Sequence, residues 1–370
     1  MNKIFSIVPN VPYTKVVKFG KKQLNGQYCL DPFTTLNVDI NGNVGLCSCS
    51  VWMPTVVGNI KTQSIDEILN SPLAHDIRNS IRNGTYEYCD HTRCGTIINN
   101  RLLTIDEIDQ HDFTDTSSST RDSVVDQTVV NLPRQITLSG DLICNLSCPS
   151  CRTSIINETD EEKAGRADIV NNINNSVFGS SDSRPVTVYL SLGGELFASP
   201  LMLNFMKSFP IQRYPNVEFK IQSNGLLVKK RWHKISHLEN NIFNITITAD
   251  SQNSVVYEKL RRGGKLSTLI ENLEFVAELK QRLNFEFNMR IVLQKDNANE
   301  INDFFNFATK YNADFVEYQF LQNYGTFTNQ EYQELNLLNP NHEFHHQTVA
   351  DLTALKALHG EKIVLYHGFV

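Results

Sequence analysis

The stretch Cys144-Asn-Leu-Ser-Cys148-Pro-Ser-Cys151 is the most informative part of the chain. Its three cysteines have the spacing C-x3-C-x2-C, and soft thiolate ligands of this kind suit iron–sulfur clusters. Three thiolates can bind three irons of a cubane, which leaves the fourth iron open to another ligand. The alternative is a zinc site, but structural zinc is four-coordinate and closed, usually with C-x2-C pairs or mixtures of cysteine and histidine. The spacing therefore favours an iron–sulfur cluster with one open position.

Size, composition and charge limit the class of protein. A chain of 370 residues with 41% hydrophobic residues can form one barrel-sized domain and a smaller companion. The net charge of −6 and the isoelectric point near 5.9 argue against a nucleic-acid partner. No apolar run is as long as a membrane span, and residues 1–20 contain no continuous apolar segment of the signal-peptide type. We expect a cytoplasmic protein that binds neither nucleic acid nor membrane.

The eight cysteines occur in two groups, with none after residue 151. The first group consists of Cys29, Cys47, Cys49, Cys89 and Cys94, and the second of Cys144, Cys148 and Cys151. A disulfide framework is typical of small secreted chains. Clustered cysteines in a cytoplasmic chain of this size instead favour metal sites.

The first third of the chain predicts a small α+β domain. Residues 1–28 form an N-terminal segment with little pattern. Alternating apolar residues on both sides of Asn41-Gly42 then predict a β-hairpin with a two-residue type I′ turn. Ser64-Ile-Asp-Glu67 is a capping box that begins a short helix, and a second helix runs from about Pro72 to Asn83-Gly84. Thr104-Ile-Asp-Glu107 is another capping box, so a further helix is expected before this domain ends at about residue 110.

The remainder of the chain predicts a parallel α/β barrel. Residues 111–131 are rich in Asp, Ser and Thr and are predicted to be a linker. From residue 132 to about 325, strands and helices alternate, which indicates parallel β/α units. The predicted strands are 135–140, 186–192, 216–222, 243–249, 285–293 and 314–320. The predicted helices are 160–175, 200–208, 228–239, 266–282 and 298–311. Residues 326–370 form a tail, with a helix near 348–358 and a strand at 362–366, that we expect to cap the barrel.

Residues 132–325 resemble the radical S-adenosylmethionine (SAM) superfamily in the order of their motifs. This resemblance implies a partial (β/α)6 barrel in which SAM binds the open iron and is cleaved to a 5′-deoxyadenosyl radical. The cluster would be bound by the three cysteines of the C-x3-C-x2-C motif. By the same resemblance, SAM would be bound by residues that follow successive strands: Gly193, Gly194 and Glu195, then Ser223 and Asn224, then Thr248, and finally Arg261 for the SAM carboxylate. The aromatic residue that usually precedes the last cysteine is replaced by Ser150.

Residues 29–110 resemble the twitch and SPASM type of auxiliary cluster domain. The resemblance implies that Cys29, Cys47, Cys89 and Cys94 bind a second [4Fe–4S] cluster. The chain departs from the family in two ways, since four residues separate the last two cysteines and the domain precedes the barrel. A zinc site built from the same cysteines remains the alternative.

These motifs imply an enzyme that removes a hydrogen atom from its substrate, with an electron donor of the flavodoxin or ferredoxin type. Family precedent favours a ribosomally made peptide as the substrate. The alternative is two-electron oxidation of a small alcohol such as a sugar or cyclitol, and a non-catalytic iron–sulfur protein is a further alternative. Cys49 is left over after the two ligand sets. If the hairpin strand stays extended, Cys49 shares a face with Cys47, where it could be a packing residue, a substitute ligand or a hydrogen donor.

Overall fold

The computed structural model describes residues 16–50, 52–111, 120–125, 133–176, 185–190 and 193–366. Ten strands within these residues form one sheet with the order β10-β9-β8-β7-β6-β5-β4-β1-β2-β3. The strands are β1 (Thr35–Val38), β2 (Asn43–Gly45), β3 (Gly58–Asn59), β4 (Gln135–Leu138), β5 (Val186–Leu190), β6 (Val217–Ser223), β7 (Ile242–Thr248), β8 (Glu286–Leu293), β9 (Phe315–Phe320) and β10 (Ile363–Tyr366).

The six strands β4 to β9 are the parallel strands that the sequence predicts. Each pairs in parallel with the next along the chain. Their apolar residues are buried in one large core together with those of the covering helices. The predicted α/β fold class, a partial barrel of six β/α units preceded by a small α+β region, is confirmed. Because successive parallel strands start at one edge of the sheet, their carboxyl ends all lie at the opposite edge.

The sheet does not end at the first barrel strand. Strand β1 pairs in parallel with β4, from Thr35 opposite Gln135 to Val38 opposite Leu138. The hairpin of the small domain therefore extends the barrel sheet through continuous backbone hydrogen bonds. Leu36 and Val38 are fully buried in the same core as Leu138, so the two parts share one hydrophobic interior.

The hairpin is present, but the predicted turn type is wrong. A type I′ turn needs positive φ at both central residues, and only Gly42, with φ of 82°, has it. The N–H of Gly42 donates to the carbonyl of Asp39 at 3.0 Å. The Asp39 carboxylate accepts the N–H groups of Asn41 and Asn43 at 2.8 and 2.9 Å. The Asp39 side chain thus stabilises a wider loop that ends in a left-handed glycine.

Six short helices accompany the small domain. They are α1 (Asp31–Thr34), α2 (Ile65–Leu69), α3 (Pro72–Arg82), α4 (Gly95–Ile98), α5 (Ile105–His111) and α6 (Thr120–Val125). The capping boxes at Ser64 and Thr104 are formed as predicted. Helix α6 lies inside the predicted linker, and the Arg82 guanidinium on α3 donates to its carbonyl groups at Ser123 and Val124. Residues 112–119 and 126–132 of that segment lie outside the described residues.

The barrel and the tail carry the longer helices. They are α7 (Asp160–Ser176), α8 (Pro200–Ser208), α9 (Val228–Arg231), α10 (Ser254–Leu260), α11 (Leu266–Arg282), α12 (Ile301–Lys310), α13 (Asn329–Leu335) and α14 (His345–His359). The predicted helix 228–239 is α-helical only in α9 and continues as 3₁₀ segments. Its buried residues Trp232, Ile235 and Leu238 recur every three positions, which matches the three residues per turn of a 3₁₀-helix. The predicted helix 298–311 likewise begins as a 3₁₀ segment, Lys295–Glu300.

The tail adds a further parallel strand to the barrel. Helix α14 covers the predicted helix 348–358, and β10 pairs in parallel with β9. The Tyr366 ring lies 5.5 Å from the Arg290 guanidinium, which belongs to β8. The tail therefore extends the sheet edge beyond the sixth barrel strand.

We predict that Leu36→Ala lowers the free energy of unfolding by about 2–5 kcal/mol, because it leaves a cavity where the hairpin and the barrel share their core. Urea denaturation followed by circular dichroism measures the change. The control is Leu358→Ala on α14, whose side chain is 76% exposed and whose loss should change stability by no more than about 0.5 kcal/mol. Equal effects of the two substitutions would contradict the shared core.

Candidate functional site

A cavity of about 370 Å³ opens at the carboxyl ends of the parallel strands. Chemistry in barrels of parallel strands occurs at this end. All ten residues that the sequence predicts for the SAM cluster and for SAM line the cavity: Cys144, Cys148, Cys151, Gly193, Gly194, Glu195, Ser223, Asn224, Thr248 and Arg261. The fold thus brings five separate segments together, while the role of each residue stays a prediction.

Each of the three cysteines in the cluster loop, residues 144–151, accepts an N–H from a side chain. The Cys144 sulfur lies 3.7 Å from Asn224 Nδ2, and the Cys151 sulfur lies 3.5 Å from Arg152 Nη2. The Cys148 sulfur lies 3.8 Å from Arg261 Nη1. N–H groups that point at sulfur stabilise thiolates and the clusters they bind. This donor set fits an anionic thiolate-bound cluster.

The thiols differ in their contact with solvent. Cys148 is buried, Cys144 is half-buried and Cys151 is exposed. Burial raises the pKa of Cys144 to about 12, with the Glu195 carboxylate adding to the rise. Burial also raises the pKa of Cys148, whereas the Arg261 cation lowers it. Thiols of this kind stay protonated until a metal replaces the proton.

The loop that contains Gly193 and Gly194 packs backbone to backbone against residues 141–143, which lead into the cluster loop. A Cβ atom on Gly194 would lie 2.5 Å from the Asp141 carbonyl oxygen and 3.0 Å from that of Ile143. The Arg152 guanidinium joins the two loops, since it donates to the Gly193 carbonyl and, at 2.7 Å, to that of Leu142. The close approach explains why this position accommodates only glycine.

Glu195 links the loops that follow β5 and β6. Its carboxylate accepts the Ser223 hydroxyl at 2.7 Å and the backbone N–H of Asn224 at 2.6 Å. It also accepts the N–H of Phe197 at 3.1 Å. Burial raises the pKa of Glu195, and these hydrogen bonds oppose the rise. A carboxylate has about four acceptor positions, so the three bonds leave capacity for one cationic donor in the cavity.

Thr248 and Arg261 reach the cavity from either side of α10. Thr248 ends β7 and is buried. Arg261 pairs with the buried Asp250 carboxylate, with 2.8 Å between Nε and Oδ2. Arg261 therefore has a carboxylate partner within the protein, which the sequence analysis did not anticipate.

Sequence analysis also missed a polar layer below the predicted SAM residues. Arg290 lines the cavity and donates to Glu317 at 2.6 Å and to Gln222 at 2.9 Å. Tyr189 also lines the cavity, and its hydroxyl donates to Gln222. The signal was present in the sequence, because Glu286, Asn288 and Arg290 alternate with apolar residues along β8, and such alternation places them on one face of the strand.

The four cysteines predicted to bind the second cluster are all influenced by one carboxylate, Asp31, whose Oδ2 lies 3.6 Å from the Cys47 sulfur. Burial is the main cause that raises the pKa of Cys29, Cys47, Cys89 and Cys94, and the Asp31 carboxylate lies close enough to raise each one further. The pKa of Cys89 reaches about 12. Asp31 Oδ2 also accepts the hydroxyl and the backbone N–H of Ser48, at 2.6 and 2.9 Å. The structure thus brings the four cysteines together and adds Asp31, which the sequence analysis did not select.

Cys49 lies next to Cys47 in the SPASM region. Strand β2 ends at Gly45, so the extended alternation assumed for Cys47 and Cys49 does not apply. The backbone N–H of Cys49 donates to the Cys47 sulfur at 3.4 Å. Burial raises the pKa of Tyr324, a residue that lines the cavity, to about 12, and the Cys49 and Cys151 thiols both contribute. Tyr324 is therefore close to both thiols.

Comparison with protein families identifies the small domain. Residues 29–95 match the SPASM family, described as an iron–sulfur cluster-binding domain. Residues 29–95 are a SPASM domain. The predicted resemblance of this region to the SPASM type of cluster domain is thereby confirmed, and the partial barrel follows it in the chain. No curated protein is similar enough to count as a match.

Several solved structures are similar to this chain. Streptococcus suis SuiB bound to S-adenosylmethionine has 12% identity over 68% of this chain and 53% of its own, with a TM-score of 0.43. Native anSMEcpe with bound AdoMet has 17% identity, with 62% and 63% covered and a TM-score of 0.45. The FeFe-hydrogenase maturase HydG from Carboxydothermus hydrogenoformans has 16% identity, with 71% and 62% covered and a TM-score of 0.38. The chain spans 53 to 63% of the length of these three structures.

Within the described parts of the chain, no three histidine, cysteine or carboxylate side chains lie close enough to share one ion. In a cubane each thiolate binds its own iron, so the thiolates around a cluster are more widely spaced than the ligands of one ion. The fit to clusters rests on the cysteines that share a cavity and on the N–H groups directed at their sulfurs.

Among the helices of the described residues, none has the length and apolar character needed to cross a membrane.

We predict that Gly194→Ala greatly weakens SAM binding, because the added methyl group would push the Gly193–Glu195 loop away from the cluster loop. Equilibrium dialysis of anaerobically reconstituted protein with labelled SAM measures the affinity. The control is Gly165→Ala on α7, where the new Cβ would meet only the tip of Lys61 at 3.5 Å and where alanine favours the helix by roughly 0.5–1 kcal/mol. Unchanged affinity in Gly194→Ala would show that the contact between the loops is not needed.

Proposed function

We propose that the protein is a radical SAM enzyme that reductively cleaves S-adenosylmethionine and abstracts a hydrogen atom from its substrate. One observation carries the proposal: the C-x3-C-x2-C cysteines, the residues at the ends of the next three strands and Arg261 after α10 converge on a single cavity at the carboxyl end of the barrel. A zinc protein or a scaffold has no need for this convergence of Glu195, Asn224 and Arg261 on three thiols.

The residues divide into three sets by the group that each would bind. Cys144, Cys148 and Cys151 would hold a [4Fe–4S] cluster, which when bound supplies the electron for SAM cleavage. Gly193, Gly194 and Glu195, with Ser223, Asn224 and Thr248, would position SAM, and the remaining acceptor position of Glu195 suits the SAM ammonium. Cys29, Cys47, Cys89 and Cys94 of the SPASM domain would hold a second [4Fe–4S] cluster.

The cavity itself supplies orientation and protection from water. Glu195, Ser223 and Asn224 are each no more than 6% exposed, so bonds made to them form away from solvent, where they are stronger. The exposed Cys151 gives an electron donor of the flavodoxin or ferredoxin type a short approach to the cluster.

The polar layer below the SAM residues would bind the substrate. Gln222, Gln319 and Gln322 line the cavity with Tyr189 and Arg290. Amide side chains both donate and accept hydrogen bonds, which suits the alternating N–H and C=O groups of a peptide backbone. We therefore propose a ribosomally made peptide as the substrate, and oxidation of a sugar or cyclitol is the alternative that the same hydrogen-bonding groups permit.

We predict that anaerobically reconstituted protein binds about eight irons per chain, as two cubanes, and forms 5′-deoxyadenosine from SAM under a strong reductant. The triple variant Cys144→Ala, Cys148→Ala, Cys151→Ala should keep about four irons and lose SAM cleavage. The control is Cys29→Ala with Cys94→Ala, which should lose iron but keep the SAM-dependent spectral change of the barrel cluster. Full iron content in the triple variant, or zinc in place of iron, would refute the proposed function.

We predict that deuterium appears in 5′-deoxyadenosine when the enzyme is incubated with deuterated candidate peptides, such as short peptides encoded beside its gene. Mass spectrometry of the nucleoside measures the transfer, because the abstracted hydrogen leaves with it. Deuterated sugars and cyclitols serve as the comparison. Transfer from a polyol and from none of the peptides would favour the alternative.

A further inference from the structure

The Arg261 side chain reaches back from the end of α10 to the cluster loop. Its Nη1 lies 3.8 Å from the Cys148 sulfur, and its Nε lies 2.8 Å from Asp250 Oδ2. The side chains of Arg261 and Asp250 are 12% and 2% exposed. The guanidinium therefore lies between a buried carboxylate and a buried thiol.

Asp250 is itself fixed in place from several directions. Its Oδ1 accepts the backbone N–H of Val292 at 2.8 Å, and its carbonyl accepts Asn297 Nδ2 at 2.8 Å. Its φ is +66°, a conformation that residues other than glycine seldom adopt and that persists only where surrounding contacts impose it. The carboxylate that holds Arg261 thus has little freedom to turn away.

The charges around Arg261 explain why its guanidinium stays at the thiol. A buried cation is costly unless it is paired and hydrogen-bonded. Here Arg261 Nε pairs with the Asp250 carboxylate at 2.8 Å, and its Nη1 lies 3.8 Å from the Cys148 sulfur. The residue that was predicted to bind the SAM carboxylate is already engaged by a carboxylate of the protein on one side and by a cluster ligand on the other.

We infer that Arg261 is a positioning residue for the cluster, which donates an N–H to the Cys148 thiolate and raises the reduction potential of the cluster. The inference rests on the proposed [4Fe–4S] site at Cys144, Cys148 and Cys151. Reduction adds one negative charge to the cluster, so a nearby N–H group and positive charge stabilise the reduced form more than the oxidised form. Asp250 holds the guanidinium in the orientation that presents this charge to the sulfur.

The test is a potentiometric titration with dithionite, followed by electron paramagnetic resonance, of reconstituted protein without SAM. The variant Cys144→Ala, Cys148→Ala, Cys151→Ala gives the resonance signal of the SPASM cluster alone. Subtracting this signal from that of the protein with both clusters gives the signal of the barrel cluster. The double variant Arg261→Met, Asp250→Asn removes the guanidinium without leaving a buried carboxylate unpaired. In this variant the ratio of reduced to oxidised barrel cluster at a fixed potential should fall about tenfold. For a one-electron couple this corresponds to a midpoint potential that is lower by about 59 mV.

The control is the double variant Lys259→Met, Asp296→Asn, which, like the test variant, removes one ion pair and leaves the net charge unchanged. Lys259 is 64% exposed and pairs with Asp296 at the surface, where solvent screens its charge. The ratio in this variant should equal that of the wild type. A fall as large as in the Arg261→Met, Asp250→Asn variant would show that loss of any ion pair at the end of α10, and not the contact of Arg261 with Cys148, lowers the potential, and would overturn the inference.

The competing role for Arg261 predicts a different result. If Arg261 binds the SAM carboxylate, the Arg261→Met, Asp250→Asn variant keeps the wild-type potential and loses SAM affinity by more than tenfold, which would refute the inference. Should that variant fail to load iron, Arg261→Lys answers the same question, because one ammonium cannot contact both Asp250 and Cys148. A smaller fall in the reduced fraction is then expected, and a wild-type potential would contradict the inference. A different result would refute the proposed function itself, namely full iron content in the variant Cys144→Ala, Cys148→Ala, Cys151→Ala.

Discussion

The backbone contact between the loops that follow β4 and β5 determines the geometry of the whole site. Gly194 lies so close to the Asp141 and Ile143 carbonyls that no Cβ fits between them. Arg152, which follows the last cysteine, donates to carbonyl groups of both loops. This contact places Glu195 next to the loop after β6, where Ser223 and Asn224 bind its carboxylate. A shift at this contact would move the thiols and the predicted SAM residues together.

Buried charge is the second constraint on the barrel. Two of the buried cation–carboxylate pairs among the described residues reach the cavity through their guanidinium groups, Arg261 with Asp250 and Arg290 with Glu317, and both carboxylates are 2% exposed. Pairs of this kind are weak evidence for stability, because desolvation offsets much of their attraction. They fix the orientation of long side chains instead. One pair presents its guanidinium to Cys148, and the other presents its guanidinium to the floor of the cavity.

The sheet joins the two cysteine-containing regions. Because β1 pairs with β4, the SPASM domain is hydrogen-bonded to the barrel strand that leads into the cluster loop. Tyr324 lies close to Cys49 on one side and to Cys151 on the other. A residue of the SPASM domain and a residue of the cluster loop thus both influence one side chain of the cavity, while Asp31 raises the pKa of the four SPASM cysteines.

The sequence alone determined the fold class and the six parallel strands, because strand periodicity and capping boxes are local patterns. Its resemblance to the radical SAM superfamily indicated the segments that meet at the cavity. The sequence also indicated the polar face of β8, although that signal was overlooked. Only the tertiary structure revealed the pairing of β1 with β4, the position of Asp31 among four cysteines and the engagement of Arg261 by Asp250. Each of these depends on residues distant in the chain, and sequence spacing carries no information on which buried charge meets which partner. The turn at Gly42 and the 3₁₀ segments after α9 depended on side-chain hydrogen bonds and burial, which act only once the surrounding core has formed.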